Sequence, residues 1–212
     1  MKGTTMLWAL PAFALVAAVS GTSRADEATR HVIARQDLEA KIHYCKDCHG
    51  QLGQGFRGSY PVPRLAGQSV EYLESKFEVI TEHKQDNATA ETFMVPVLGS
   101  VDPMIRRAVA SHFNGLDPAP VGGAPKELIP EGKKIYEAGI PEANVPACVS
   151  CHGPDAKGVG ATPRLAGQIY PFTIKVLTNW AKERGKTGIA LNEHRLTDNQ
   201  TSEVAAYLSE VR

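Results

Sequence analysis

All four cysteines of this chain fall in two five-residue segments, Cys45-Lys46-Asp47-Cys48-His49 and Cys148-Val149-Ser150-Cys151-His152. Cys-x-x-Cys-His is the spacing at which two thiols add across the two vinyl groups of one haem while the adjacent histidine reaches the iron from the proximal side. Two copies therefore imply two covalently attached haem c groups, with iron held by His49 and His152. Other chemistries fit these residues less well. A structural zinc needs four ligands around one metal, which one such turn cannot supply unless the two motifs pool. A redox dithiol expects a strand-and-helix setting. Structural disulfides suit a secreted chain but leave two identical Cys-x-x-Cys-His units unexplained.

The surroundings of each motif are duplicated as well. Pro63-Arg64-Leu65-Ala66-Gly67-Gln68 recurs 100 positions later as Pro163 to Gln168, whereas the cysteine motifs are offset by 103. The first copy thus carries three extra residues in the loop between motif and hexapeptide. Those loops, 51–62 and 154–162, are rich in Gly and Pro, which excludes regular helix or central strand.

Around them the apolar residues recur at three- and four-residue steps, the helical period. Helices are expected over Val32 to Tyr44 and Glu131 to Ala138. Two more follow the hexapeptides, through Val70, Leu73, Phe77 and Ile80 and, less regularly, through Phe172, Ile174, Leu177 and Trp180. Each copy closes with another, marked by Ile105, Val109 and Phe113 and by Val204, Tyr207, Leu208 and Val211 behind a Thr197 cap. No stretch alternates as a strand would, so the chain reads as all-α. Asp117 to Pro125 is dense in Pro and Gly, a linker part stiff and part flexible. The expected organisation is 26–117 and 126–212 as two domains joined by 118–125.

Lys2 followed by the apolar run Met6 to Val19, with Ser23 and Ala25 in the minus-three and minus-one places, makes 1–25 a secretory signal. Its apolar run is shorter than the ~20 residues that span a bilayer; retention as an anchor is the competing reading. The mature protein is expected to be soluble and outside the cytoplasm, in the periplasm. With 23 basic against 23 acidic residues, the chain lacks the basic excess of a nucleic-acid binder. Hydrophobic residues at 42% and charged residues at 22% are those of a folded chain. Aromatics at 7% leave core volume for a buried cofactor to fill.

The mature chain resembles a dihaem cytochrome c of the c-four type, two class I cytochrome c domains in tandem. That resemblance implies roles for the matching residues. Pro63 and Pro163 would present carbonyls to the ring N–H of His49 and His152; Arg64 and Arg164 would pair with haem propionates; Leu65 and Leu165 would pack on the porphyrins. Met94, just ahead of the first copy's last helix, occupies the family's sixth-ligand position. Met104, at a helix start, is expected to pack.

The second copy holds no methionine. Alignment forward from the hexapeptide reaches His194, and alignment backward from the final helix reaches Ile189, so its loop is five residues shorter on an undetermined side of the ligand. Either His194 closes the second iron, or that site is open or filled by Lys186 or Asn192. A His/His haem has a lower potential than a His/Met one, so the first reading runs electrons downhill from the second domain to the first. His31, His43, His83 and His112 belong to no motif, and Lys182 to Lys186 is a basic run that could dock an acidic partner. The function expected is single-electron transfer between a redox enzyme or membrane complex and an acceptor. Alternatives are an electron-accepting subunit of a periplasmic oxidoreductase and a haem enzyme with an open second site.

Overall fold

The computed structural model describes residues 24–83, 90–179 and 196–212. They are helical apart from isolated bridges and comprise α1 (Arg24–His49), α2 (Val70–Thr81), α3 (Val95–Gly99), α4 (Pro103–Asn114), α5 (Ile129–Ala138), α6 (Val149–His152), α7 (Tyr170–Thr178) and α8 (Asp198–Glu210). Met1–Arg35 and Gln36–Arg212 form two compact units. The signal-like residues 1–23 lie outside the described residues, as do Trp180, the Lys182 to Lys186 run, Ile189, Asn192 and His194. No described helix is long and apolar enough to cross a membrane.

Within Gln36–Arg212 the chain builds two cores. In the first, Leu38, Ile42 and Cys45 of α1 meet Leu73 of α2 and Val109, Ala110 and Phe113 of α4. In the second, Ile135 and Tyr136 of α5 meet Val204 and Leu208 of α8. Gly132 lets α5 and α8 close, since a Cβ there would lie 1.9 Å from the Glu203 carbonyl oxygen.

Local chemistry sets the helix ends. Ser69 and Asp102 cap α2 and α4 through their side chains, and Pro103 supplies the preset φ of a first helical position. Thr197 does cap α8, reinforced by Gln200 in a reciprocal capping box.

The two copies differ at the cysteine motifs. α1 runs unbroken from Arg24 through His49, longer at both ends than the hydrophobic pattern predicts, because nothing in 24–49 is Gly or Pro. In the second copy Gly139, at φ +70°, ends α5 and the chain loops through Pro141 and Pro146 before α6. The linker makes contacts along its length: Ala124 is buried, Arg64 donates to the Pro118 carbonyl at 2.9 Å, and Arg57 donates to that of Gly123 at 2.9 Å. Met104 does not pack as expected. It is 88% exposed at the start of α4, where Asp102 caps its N–H.

Candidate haem sites and the surface between them

Each cysteine motif ends a helix, and in each the loop beyond folds back on the histidine. Gly55 N–H donates to the His49 carbonyl at 2.8 Å and Gly158 N–H to that of His152 at 2.9 Å. Short bridges then close the loops, Phe56 with Val62 and Val159 with Thr162. The bridges locate the three extra residues inside 57–61, the segment that carries Arg57 to the linker.

The returning strand delivers a proline carbonyl to each ring. His49 Nδ1 lies 2.8 Å from the Pro63 oxygen, and His152 Nδ1 lies 2.9 Å from that of Pro163. A carbonyl can only accept, so Nδ1 carries the proton and Nε2 keeps a free lone pair, the tautomer an iron ligand needs. Burial outweighs these bonds and holds both imidazoles below the usual histidine range, hence neutral.

All four cysteines are unpaired. Burial pushes the Cys45 thiol up to about 11 and that of Cys148 in the same direction. This is opposite to the thiolate-stabilising setting of a redox dithiol. Cys48 and Cys151 are exposed, and Leu65 and Leu165 are half-buried at the edges of their cores.

Between the two motifs the hexapeptides meet face to face. Gln68 Oε1 accepts from Arg164 N–H at 2.7 Å while its Nε2 donates to the Arg164 carbonyl at 3.1 Å. Gln168 does the same to Arg64, at 2.8 Å and 3.2 Å. These reciprocal bonds follow a local twofold. No local motif assigns Gln68 and Gln168 a role, although their duplication at the end of each hexapeptide marks them.

The arginines follow the same symmetry. Arg64 and Arg164 are 3% and 7% exposed, so neither is a solvated surface charge. Each Nε donates to its own copy's alanine carbonyl, Ala66 at 3.0 Å and Ala166 at 3.1 Å. Each guanidinium lies over the opposite copy's glycine, where a Cβ on Gly67 or Gly167 would come within 3.2 Å or 3.4 Å of it.

Arg64 Nη1 and Arg164 Nη2 are buried without a hydrogen-bond partner among the described residues. An unsatisfied buried donor costs about 1–3 kcal/mol, and guanidinium donors match carboxylates. The residues present therefore fit haem: two thiols and a correctly tautomerised histidine in each copy, with spare guanidinium donors for propionates.

The sixth-ligand candidates are less complete. Met94 ends a π-helical turn, Ala90–Met94, and is half-buried; such turns often occur at functional positions. Beside it Phe93 is exposed and lies 6.4 Å from the Tyr60 ring. His194 lies outside the described residues. The offset of 95 between final helices does hold in space, because Gly67 N–H donates to the Phe113 carbonyl and Gly167 N–H to that of Leu208. Of the histidines without a motif, His31 and His43 are exposed, and His112 is half-buried with an unpartnered Nε2.

Comparison with known proteins agrees with this geometry. The cytochrome c family model matches residues 129–212. The chain is 36% identical to cytochrome c-552 of Acidithiobacillus ferridurans, over 78% of this chain and 72% of that one. It is 31% identical to cytochrome c4 of Thiocapsa roseopersicina, over 80% and 88%. A thiosulfate dehydrogenase electron acceptor from Thiomonas intermedia is 30% identical over 78% and 77%. The structure of Acidithiobacillus ferrooxidans cytochrome c4 superposes with a TM-score of 0.68 at 32% identity, covering 78% of this chain and 97% of that one.

Proposed function

This chain belongs to the cytochrome c4 family of dihaem electron-transfer cytochromes, and from that premise we propose that it carries single electrons through the periplasm between a redox enzyme or membrane complex and an acceptor. Haem c, when bound, supplies a one-electron ferric/ferrous couple at each site. The chain supplies the rest. Cys45, Cys48, Cys148 and Cys151 tether the two groups, His49 and His152 coordinate from the proximal side, and Pro63 and Pro163 hold those rings in the ligating tautomer. Arg64 and Arg164 receive propionates, Leu65 and Leu165 pack on the rings, and Met94 closes the first iron.

The observation that carries this reading is the reciprocal Gln68–Arg164 and Gln168–Arg64 bonding, which fixes both motifs to one interface. Fixed separation and orientation let an electron that enters one half leave from the other. The domain limits proposed are 26–117 and 126–212.

For the second iron we propose His194. Low-temperature EPR of the oxidised holoprotein tests it. Two low-spin ferric signals, one of His/Met and one of His/His character, are expected; a high-spin signal from half the iron would refute the assignment and turn attention to ligand binding there.

A second reading rests on the likeness to the Thiomonas intermedia thiosulfate dehydrogenase electron acceptor. In it the chain is the dedicated acceptor of a periplasmic oxidoreductase of sulfur compounds. Reduction by such an enzyme and thiosulfate at a rate that falls with added salt is expected; equal reduction by unrelated donors would favour the general carrier.

A further inference from the structure

At the exposed rim of the interface one acidic side chain serves both copies. Asp117 Oδ1 lies 3.5 Å from Arg64 Nη2 and 3.6 Å from Arg164 Nη2, and its Oδ2 lies 3.9 Å from Arg212 Nε. The glutamines, glycines and arginines that meet here come in pairs related by the twofold. The carboxylate comes once, from the linker, and stands almost equidistant from the paired guanidinium groups.

Its place is fixed by the chain. Asp117 precedes Pro118, which restricts its backbone to extended conformations, and the Pro118 carbonyl is itself held by Arg64 at 2.9 Å. An isolated ion pair at the surface contributes little. This one is different on its inner side, where both arginines are buried and their charges poorly screened. Burial and the proximity of Arg164 hold Arg64 down to about 10, so the two cations repel each other across the interface. Three guanidinium groups face one carboxylate, and Arg64 Nη1, turned away from it, has no hydrogen-bond partner among the described residues.

We propose that Asp117 is the shared counter-ion of both haem sites, so that its single charge sets the two haem potentials together and by nearly equal amounts. The inference rests on the dihaem reading above, in which Arg64 and Arg164 each hold a propionate. A negative charge beside those arginines favours the ferric state at both sites. Asp155, held beside Lys157 at 3.7 Å in the loop after the second cysteine motif, belongs to one copy only and serves as the one-sided control.

The test is a potentiometric titration of the holoprotein, followed by visible spectroscopy, for the wild type, D117N, D117E and D155N. D117N is expected to raise both midpoints, with shifts whose sizes differ by less than about twofold. A tenfold change in the ferric/ferrous equilibrium is 59 mV for one electron, so a threefold change is readable. D117E keeps the charge and leaves both midpoints near wild type, whereas D155N moves the second couple alone. Midpoints unmoved by D117N, a shift in one couple only, or D117E matching D117N would each overturn the proposal. Should D117N fail to mature, R212Q removes the exposed cation on the same carboxylate and is expected to lower both midpoints; no shift there also overturns it. Absence of a pair of one-electron couples in the wild type would refute the dihaem reading itself, whereas a pair present and insensitive to D117N refutes only the role of Asp117.

Discussion

Substituting Gly53 by alanine tests how the two copies solve one packing problem in two ways. Gly53 sits at φ +64°, and a Cβ there would lie 2.8 Å from Phe113 Cδ1 and 3.2 Å from Cε1. Its counterpart is Ala156, a non-glycine residue at φ +54° with no exposed surface. The two play one structural role: Gly53 O accepts from Leu65 and Ala66 N–H, and Ala156 O accepts from Leu165 and Ala166 N–H. The second copy tolerates the methyl because Leu208 stands where the first has Phe113. G53A therefore meets two costs. Left-handed backbone costs an alanine ~1–2 kcal/mol, and overpacking against a rigid ring costs ~1–3 kcal/mol.

A total loss of about 2–5 kcal/mol is expected. The G53A/F113L pair should lose only the backbone share beyond what F113L loses alone, which gives a coupling of about 1–3 kcal/mol. Equilibrium denaturant unfolding of the four holoproteins, followed by circular dichroism, measures the cycle. The mirror substitution L208F should destabilise the second copy and be relieved by A156G. Costs of G53A and F113L that simply add, with coupling below about 0.5 kcal/mol, would refute the reasoning.

Serine at both Cys148 and Cys151 should halve the haem-to-protein ratio in a pyridine haemochrome assay and leave the first site's spectrum in place; two haems per chain would refute the attachment assignment. T197A removes the hydroxyl that accepts from Gln200 N–H at the start of α8 and should cost about 1 kcal/mol, read as a Tm lower by about 2–4 °C. His112 is held below the usual imidazole value of 6.5 by burial and then by Lys46, so the folded state excludes a proton that the unfolded state accepts. Its contribution to stability is complete above that value and lost as pH falls below it. Unfolding midpoints measured down a pH series should decline less steeply in H112Q, and parallel slopes would count against it.

What the sequence made legible was whatever it repeats. Helix periodicity and the Thr197 cap are local patterns, each decided within a few residues, and the described helices stand where those patterns fall. The length of α1 and the position of Met104 were less readable because they depend on what a helix end meets. Without Gly or Pro in 24–49, α1 continues into the cysteine motif, and the apolar side chain of Met104 faces solvent at the start of α4. The interface was the least legible part, for a different reason. Gln68 and Gln168 satisfy the backbone of Arg164 and Arg64 about a hundred residues away, a relation that no local spacing encodes. Yet duplication contains a constraint that motif reading leaves unused. When two copies of one fold pack through the same surface, any residue on that surface must suit its own image, which explains why the hexapeptide is repeated letter for letter while the helices around it drift. Residues free of that constraint are those where the copies can diverge: Gly53 against Ala156, Phe113 against Leu208, and Asp117, whose image at the 95-residue offset is Arg212. The repeated hexapeptide gives both copies the same contacts, so what distinguishes the two halves lies away from it, at positions such as these.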